Sequence, residues 1–307
     1  MHRLLGDLIQ LLGLERLDRD LFRGQSQDLG WGAIFGGQVL GQALSAAAQT
    51  VEASRHVHSL HGYFIRAGDV RRPIVYQVER LRDGRSFTTR RVSAVQEGET
   101  IFSLEASFQV DEAGFEHQDP MPEVPPPEAL RSERDMALAM ADALPPALRA
   151  RATAERPIEI RPVELRNPLA PVVASPRRHH WCRAIDALPD EPALHRYLLA
   201  YASDFAFLGT SMDPHGVSWL SPGMQVASLD HAMWFHRPFR FDDWLLYAVE
   251  SPSASGGRGL ARGRSSIARA SSSRRARRKG SFGSARETTR ARRSETAAPA
   301  SRTSNPA

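Results

Sequence analysis

A carboxylate set among apolar side chains is either hydrogen-bonded or functional, because burying it without a partner is strongly unfavourable. Asp204 is such a residue. Leu198, Leu199, Ala202, Phe205 and Leu208 surround it at helical spacing, so a helix over Leu194–Leu208 would bury it. There it could take a proton from water. On pattern alone, a helix-surface or capping aspartate is an equally good reading. His58 and His61 (His58-Ser-Leu-His61), His231 and His236 are further candidates for proton transfer, and each alone reads more readily as a core-strand or partner histidine. His179-His180-Trp181-Cys182 holds metal-ligand residue types without a second cluster, which favours a surface or core segment.

Other chemistries lose support by absence. The sequence has no GxSxG elbow, no GxxxxGK[ST] loop, no GxGxxG after a strand and no HExxH. Cys182 is the sole cysteine, so neither an internal disulfide nor a cysteine zinc site is available and a reducing compartment fits. The N-terminal apolar run is interrupted by Asp7 and Gln10, unlike a signal peptide, and no stretch reaches the length of a membrane span. A cytoplasmic protein is expected.

The elements that must position these groups emerge from a chain of 307 residues with 41% hydrophobic and 24% charged residues, ordinary values for a globular protein. A helix is expected over residues 2–13 and a Gly/Ala-rich one over Gly36–Gln49, thin enough to lie close against a sheet. Strand patterns follow at 58–66, 73–81, 86–95 and 100–110, with Asp83-Gly84 and Glu97-Gly98 as turns. A proline-rich connector over 112–155 holds a helix near 131–144. The second half repeats the first: Phe64, Arg66, Tyr76, Val78 and Glu79 match Phe235, Arg237, Tyr247, Val249 and Glu250 at an offset of 171, and a helix again precedes a meander.

Charge is uneven. The stretch 258–307 carries 14 basic residues against Glu287 and Glu295, a net +12, so the first 257 residues sum to −7 within the total of +5. The basic balance is a property of the tail and not of the whole molecule. If the tail is a genuine segment, it would be disordered and could hold RNA or an anionic membrane through phosphate contacts. It lacks interleaved aromatics for stacking, so a nucleic-acid partner is not expected.

Several segments together resemble the acyl-CoA thioesterase II family. They are Gly24-Gln-Ser-Gln-Asp-Leu-Gly30, Ile34-Phe-Gly-Gly-Gln-Val39, His58-Ser-Leu-His61, Phe64-Ile-Arg-Ala-Gly-Asp69, Leu81-Arg-Asp-Gly-Arg-Ser-Phe-Thr-Thr-Arg-Arg91, Tyr201-Ala-Ser-Asp204 and Ser228-Leu-Asp-His-Ala-Met-Trp-Phe-His-Arg-Pro238. The likeness runs from residue 1 to about Arg264. It implies an α+β double hotdog, two tandem domains each wrapping an antiparallel sheet around one long helix. The expected units are 1–111, a linker 112–155, an incomplete second unit 156–264 and a disordered Arg/Ser-rich tail 265–307.

The resemblance further implies hydrolysis of fatty acyl-CoA to fatty acid and CoA, with no cofactor or metal, in a protein expected to be a homo-oligomer. It assigns Asp204 as the helix aspartate and Ser228 as the strand hydroxyl that orient the attacking water, with His58 a minor catalytic candidate. The third group, a glutamine on a late strand, is missing. Residues 271–283 are compatible with a coding string whose shifted frame reads Leu-Val-Ala-Ser-Ser-Ala-Gln-Glu-Gly-Leu-Ile-Arg, which puts the glutamine codon across Arg277 and Arg278. Residues from about Arg264 onward are therefore expected to be a frameshifted translation, consistent with a GC-rich gene in which Lys279 is the one lysine. The alternatives are a hotdog hydratase or dehydratase acting on acyl-CoA, or a catalytically dead acyl-CoA binder. The next histidine after Asp204 is His215, beyond Pro214, which does not suit the hydratase pattern.

Overall fold

The structure is a computed structural model that describes residues 1–267 and the backbone of 281–293. Helix α1 (Arg3–Leu12) buries Leu5, Leu8 and Leu12 and stops at Gly13, as its spacing predicts. Two short strands, β1 (Glu15–Asp18) and β2 (Leu21–Gly24), precede helix α2 (Gly36–Ala48). The four expected strands are β3 (Arg55–Phe64), β4 (Ile74–Asp83), β5 (Phe87–Gln96) and β6 (Glu99–Val110).

The connector holds α3 (Glu133–Ala139), capped by the Ser132 hydroxyl, and α4 (Pro146–Thr153). The sequence reading ends its helix at Pro145-Pro146. Proline is favoured at the first helical position, where its missing N–H has no partner to lose, and α4 starts there. The second half comprises β7 (Ile158–Pro162), β8 (Arg177–Ala184), α5 (Pro192–Ser203), α6 (Phe207–Met212), β9 (Met224–Trp234), β10 (Leu245–Ser255) and β11 (Arg258–Ile267), with β12 (Ser281–Arg293).

Twelve strands form one sheet in the order β1-β2-β4-β5-β6-β3-β9-β12-β11-β10-β8-β7, so two halves of equivalent order meet at the antiparallel β3–β9 pair. The repeat is physical. Tyr76 and Tyr247 are both buried under their helices, and each half carries a β-bulge at the same place, His58 in β3 and Leu229 in β9, 171 residues apart.

The expectation of a disordered tail from residue 265 does not hold for two stretches. β11 runs to Ile267, and the backbone of 281–293 fills the slot between β9 and β11 as β12. An empty slot would leave two strand edges with unpaired N–H and C=O groups, and backbone pairing satisfies them whatever the side chains are. Residues 268–280 and 294–307, including Arg277 and Arg278, lie outside the described residues.

Helix α2 is buried on every side from Gly37 to Ala47. Its small residues serve more than the expected approach to a sheet. One side packs on β4, β5 and β6, while another packs on α5. A Cβ on Gly37 would sit 2.2 Å from the Tyr201 carbonyl oxygen, and one on Gly41 3.2 Å from that of Tyr197. The glycines let two backbones nearly touch.

Candidate active site

Asp204 is not inside a helix, contrary to the expected continuous Leu194–Leu208 helix. It is the C-terminal cap of α5, at a break before α6, with φ −81° and ψ −7°. The preceding Ser203 turns its hydroxyl back to the Ala200 carbonyl at 2.8 Å, a local bond that competes with helix continuation. The break frees the carboxylate to cross to the first half. There Asp204 Oδ2 accepts the Gly37 backbone N–H at 2.8 Å, in the first turn of α2. That end of a helix has unsatisfied donors and partial positive charge, a natural cradle for a carboxylate.

Close approach makes the glycine pair obligatory. A Cβ on Gly36 would lie 2.7 Å from Asp204 Oδ2 and 2.9 Å from the Phe64 ring. Sequence reasoning noticed Gly36-Gly37 as part of a family-like segment but missed this role, since nothing local says which group a helix end receives.

The other carboxylate oxygen, Asp204 Oδ1, is buried and has no hydrogen-bond partner among the described residues. His231 Nδ1 lies 3.8 Å from it. His231 is fully buried, and its Nε2 is 3.0 Å from Ser203 Oγ. Ser203 Oγ thus lies within hydrogen-bond reach of the imidazole, of the Ala200 carbonyl and of Met233 Sδ. Of the histidines singled out from sequence, His231 is the one the fold brings to Asp204.

Ser228 reaches the same face of β9 through the bulge. Opposite residues in an antiparallel pair share a face; His231 pairs with Glu287 and Ser228 with Thr289, two residues apart on β12. Strict alternation over three residues would have put Ser228 on the opposite face. The bulge at Leu229 corrects the phase, so Ser228 faces the side from which Asp204 approaches.

His58 goes elsewhere. Its Nε2 is 2.8 Å from Ser107 Oγ, on the face of β6 opposite the buried Leu104, Ala106 and Phe108, with Phe87 edge-on. Burial lowers its pKa below the usual histidine value, helped by nearby His236. The structure thus does not bring His58 to Asp204, because its bulge turns it outward. His61 lies on the exposed side with Asp230 at 3.3 Å.

The His179–Cys182 run is strand β8. His179 Nδ1 meets Glu164 at 2.7 Å, while burial lowers the His180 pKa to about 4 and pushes the Cys182 thiol up to about 12. Among the described residues no group of three or more His, Cys, Asp or Glu side chains could hold a metal ion.

Aromatic rings cluster near Asp204. Phe35, which caps α2, stacks on Phe205 at 4.6 Å and meets Tyr201 edge-on at 5.2 Å. A buried carboxylate with one oxygen fixed and the other without a hydrogen-bond partner among the described residues can orient a water molecule against an acyl carbonyl.

Comparison with known proteins identifies the family. A family profile described as "Acyl-CoA thioesterase N-terminal domain" matches residues 26–109, and one described as "Acyl-CoA thioesterase" matches 147–277, running past the Arg264 at which the sequence likeness ends. Acyl-CoA thioesterase 2 of Haemophilus influenzae is 46% identical over 263 residues, 86% of this chain and 92% of that relative. The chain belongs to the acyl-CoA thioesterase family. Human acyl-coenzyme A thioesterase 8 is 47% identical over 265 residues, 83% of this chain and 82% of the human protein. The crystal structure of acyl-CoA thioesterase II TesB2 from Mycobacterium marinum superposes with a TM-score of 0.74 at 40% identity, covering 94% of this chain and 99% of that one. A hotdog-fold protein from Alicyclobacillus acidocaldarius, 18% identical with a TM-score of 0.73, supports the fold. Among the described residues no helix is long and apolar enough to cross a membrane.

Proposed function

We propose that the chain hydrolyses fatty acyl-CoA to fatty acid and CoA, with Asp204 as the general base toward water. The observation that carries this is the hand-over at the centre of the molecule: Gly37 N–H fixes Asp204 Oδ2 and leaves Oδ1 buried without a hydrogen-bond partner among the described residues. In the proposed reaction Oδ1 takes a proton as the water oxygen bonds to the acyl carbon. The C–S bond then breaks, and CoA leaves as a thiolate that regains the proton. Ser228, on the His231 face of its strand, holds the water from the other side. General-base assistance of this kind accelerates by about 10²–10⁴-fold.

The third orienting group of the resemblance, the glutamine, is replaced by Arg277 and Arg278, outside the described residues. Loss of one such partner lowers the rate by about 10²–10³-fold. Residues from about Arg264 are proposed to be read in a shifted frame, and sequencing the gene decides it: an uninterrupted frame with no nearby insertion or deletion would end that idea. The two hotdog units are assigned to 1–111 and 156–264, joined by 112–155, in a cytoplasmic homo-oligomer.

The second reading, an acyl-CoA hydratase, gains one observation that sequence order had withheld: His231 reaches within 3.8 Å of Asp204 from a strand. One assay separates the two. Thiol release from palmitoyl-CoA that falls in Asp204→Ala supports the hydrolase. Thiol release that persists in that variant removes Asp204 from the role, and enoyl-CoA hydration without thiol release favours the hydratase.

A further inference from the structure

Outside the hydrolytic site, three segments of the chain converge on one cation and two indoles. Trp31 belongs to the segment leading into α2, on a turn in which Asp28 Oδ1 accepts the N–H groups of Gly30, Trp31 and Gly32 and both glycines have positive φ. Trp219 comes from the loop before β9, its ring centroid 5.1 Å from that of Trp31, edge to face. Arg151 comes from α4 in the linker. Its guanidinium lies 3.7 Å over the Trp31 ring and 5.1 Å from the Trp219 ring. With Arg151 over one face, Trp31 still remains 51% exposed.

Arg151 and Arg156 have no carboxylate within ion-pair distance among the described residues, although Glu155 lies between them in sequence and Arg156 acts at longer range on Glu133. Glu155 instead pairs with Arg134 at 3.4 Å. Most other arginines among the described residues do have carboxylate partners. The positive charge of Arg156 acts on both Arg151 and Tyr201, which ties this group to the ring cluster near Asp204. Trp31 is six residues from Gly37, so at most about 22 Å of chain separates the platform from the residue that grips Asp204.

Flat aromatic faces beside permanently charged guanidinium groups suit a base carrying phosphates. We propose that Trp31, Trp219, Arg151 and Arg156 bind the phosphorylated adenosine end of CoA, leaving the pantetheine arm to reach past Phe35 to Asp204. This rests on the reading of the chain as an acyl-CoA hydrolase and adds the surface that recognises the nucleotide.

Calorimetric titration of the full chain with CoA and with pantetheine tests it without turnover. CoA is expected to bind at least about tenfold more tightly than pantetheine. Arg156→Ala, an exposed change, and Arg151→Ala are each expected to remove most of that difference while leaving pantetheine binding unchanged, and Trp31→Ala to weaken it. Equal affinity for the two ligands, or variants that weaken both alike, would overturn the proposal. A chain that shows the CoA preference yet releases no thiol from acyl-CoA would count against the catalytic reading and leave this site standing.

Discussion

Helix α2 runs unbroken from Gly36 to Ala48 without a charged residue, whereas its counterpart α5 stops at Ser203 and delivers Asp204 at the break. The strands beside them differ in the same sense. At the repeat offset of 171 residues, Ser228 and His231 of β9 correspond to Val57 and Leu60 of β3, both buried and apolar, around bulges that coincide. Under the helices, the Tyr76 hydroxyl donates to the Gln42 side chain at 2.7 Å, while that of Tyr247 donates to the Ser203 carbonyl at 3.2 Å, next to the break. One scaffold therefore has two fillings. The first half keeps apolar side chains at Val57 and Leu60 and contributes a helix end, and the second places polar groups at the equivalent positions and contributes the carboxylate.

The comparison breaks most visibly if the carboxylate is dispensable. Asp204→Ala is expected to lower kcat by about 10²–10⁴-fold with KM little changed, read by thiol release. The next effect is on stability. Burial holds His180 near pKa 4 in the second half, below the 6.5 of a free histidine, so the unfolded chain binds the extra proton more readily in between. The stabilisation is complete above about pH 6.5 and is lost as pH falls toward 4, of order 3 kcal/mol. Thermal midpoints measured across that range should fall with acid, and less steeply in His180→Asn.

Gly37→Ala puts a methyl against the Tyr201 carbonyl. It is expected to cost about 1–3 kcal/mol by denaturant titration and to lower kcat by moving Asp204. Ser228→Val, which copies the first half into the second, should lower kcat about tenfold or more and leave the fold intact. The finest distinction lies between the tyrosines: Tyr76→Phe and Tyr247→Phe each remove a buried hydrogen bond worth about 1 kcal/mol, but only the second should change kcat.

Much of this duplication was legible in the sequence. Strand patterns at 58–110 and the Tyr76/Tyr247 match follow from period-two alternation and repeated residues, which are local signals. Asp204 stood out because a charge among leucines is conspicuous. What escaped was set by long-range geometry. The break after Ser203 depends on where the carboxylate is received, the role of Gly36-Gly37 on a helix 167 residues away in sequence, and the joining of His231 to Asp204 on strand packing. The motif around His58, a minor candidate, gives no hint that a bulge turns it away from Asp204. β12 was hidden because its side chains do not read as a buried strand, while the slot it fills asks only for backbone.

The most direct test is a crystal structure of the protein with a non-hydrolysable thioether analogue of acyl-CoA. The account predicts the analogue's reacting carbon beside the Gly37 end of α2, with a water molecule about 3 Å from Asp204 Oδ1 and on line with that carbon. An analogue bound with its reacting carbon away from Asp204, or an Oδ1 left without water while the ligand is seated, would contradict it.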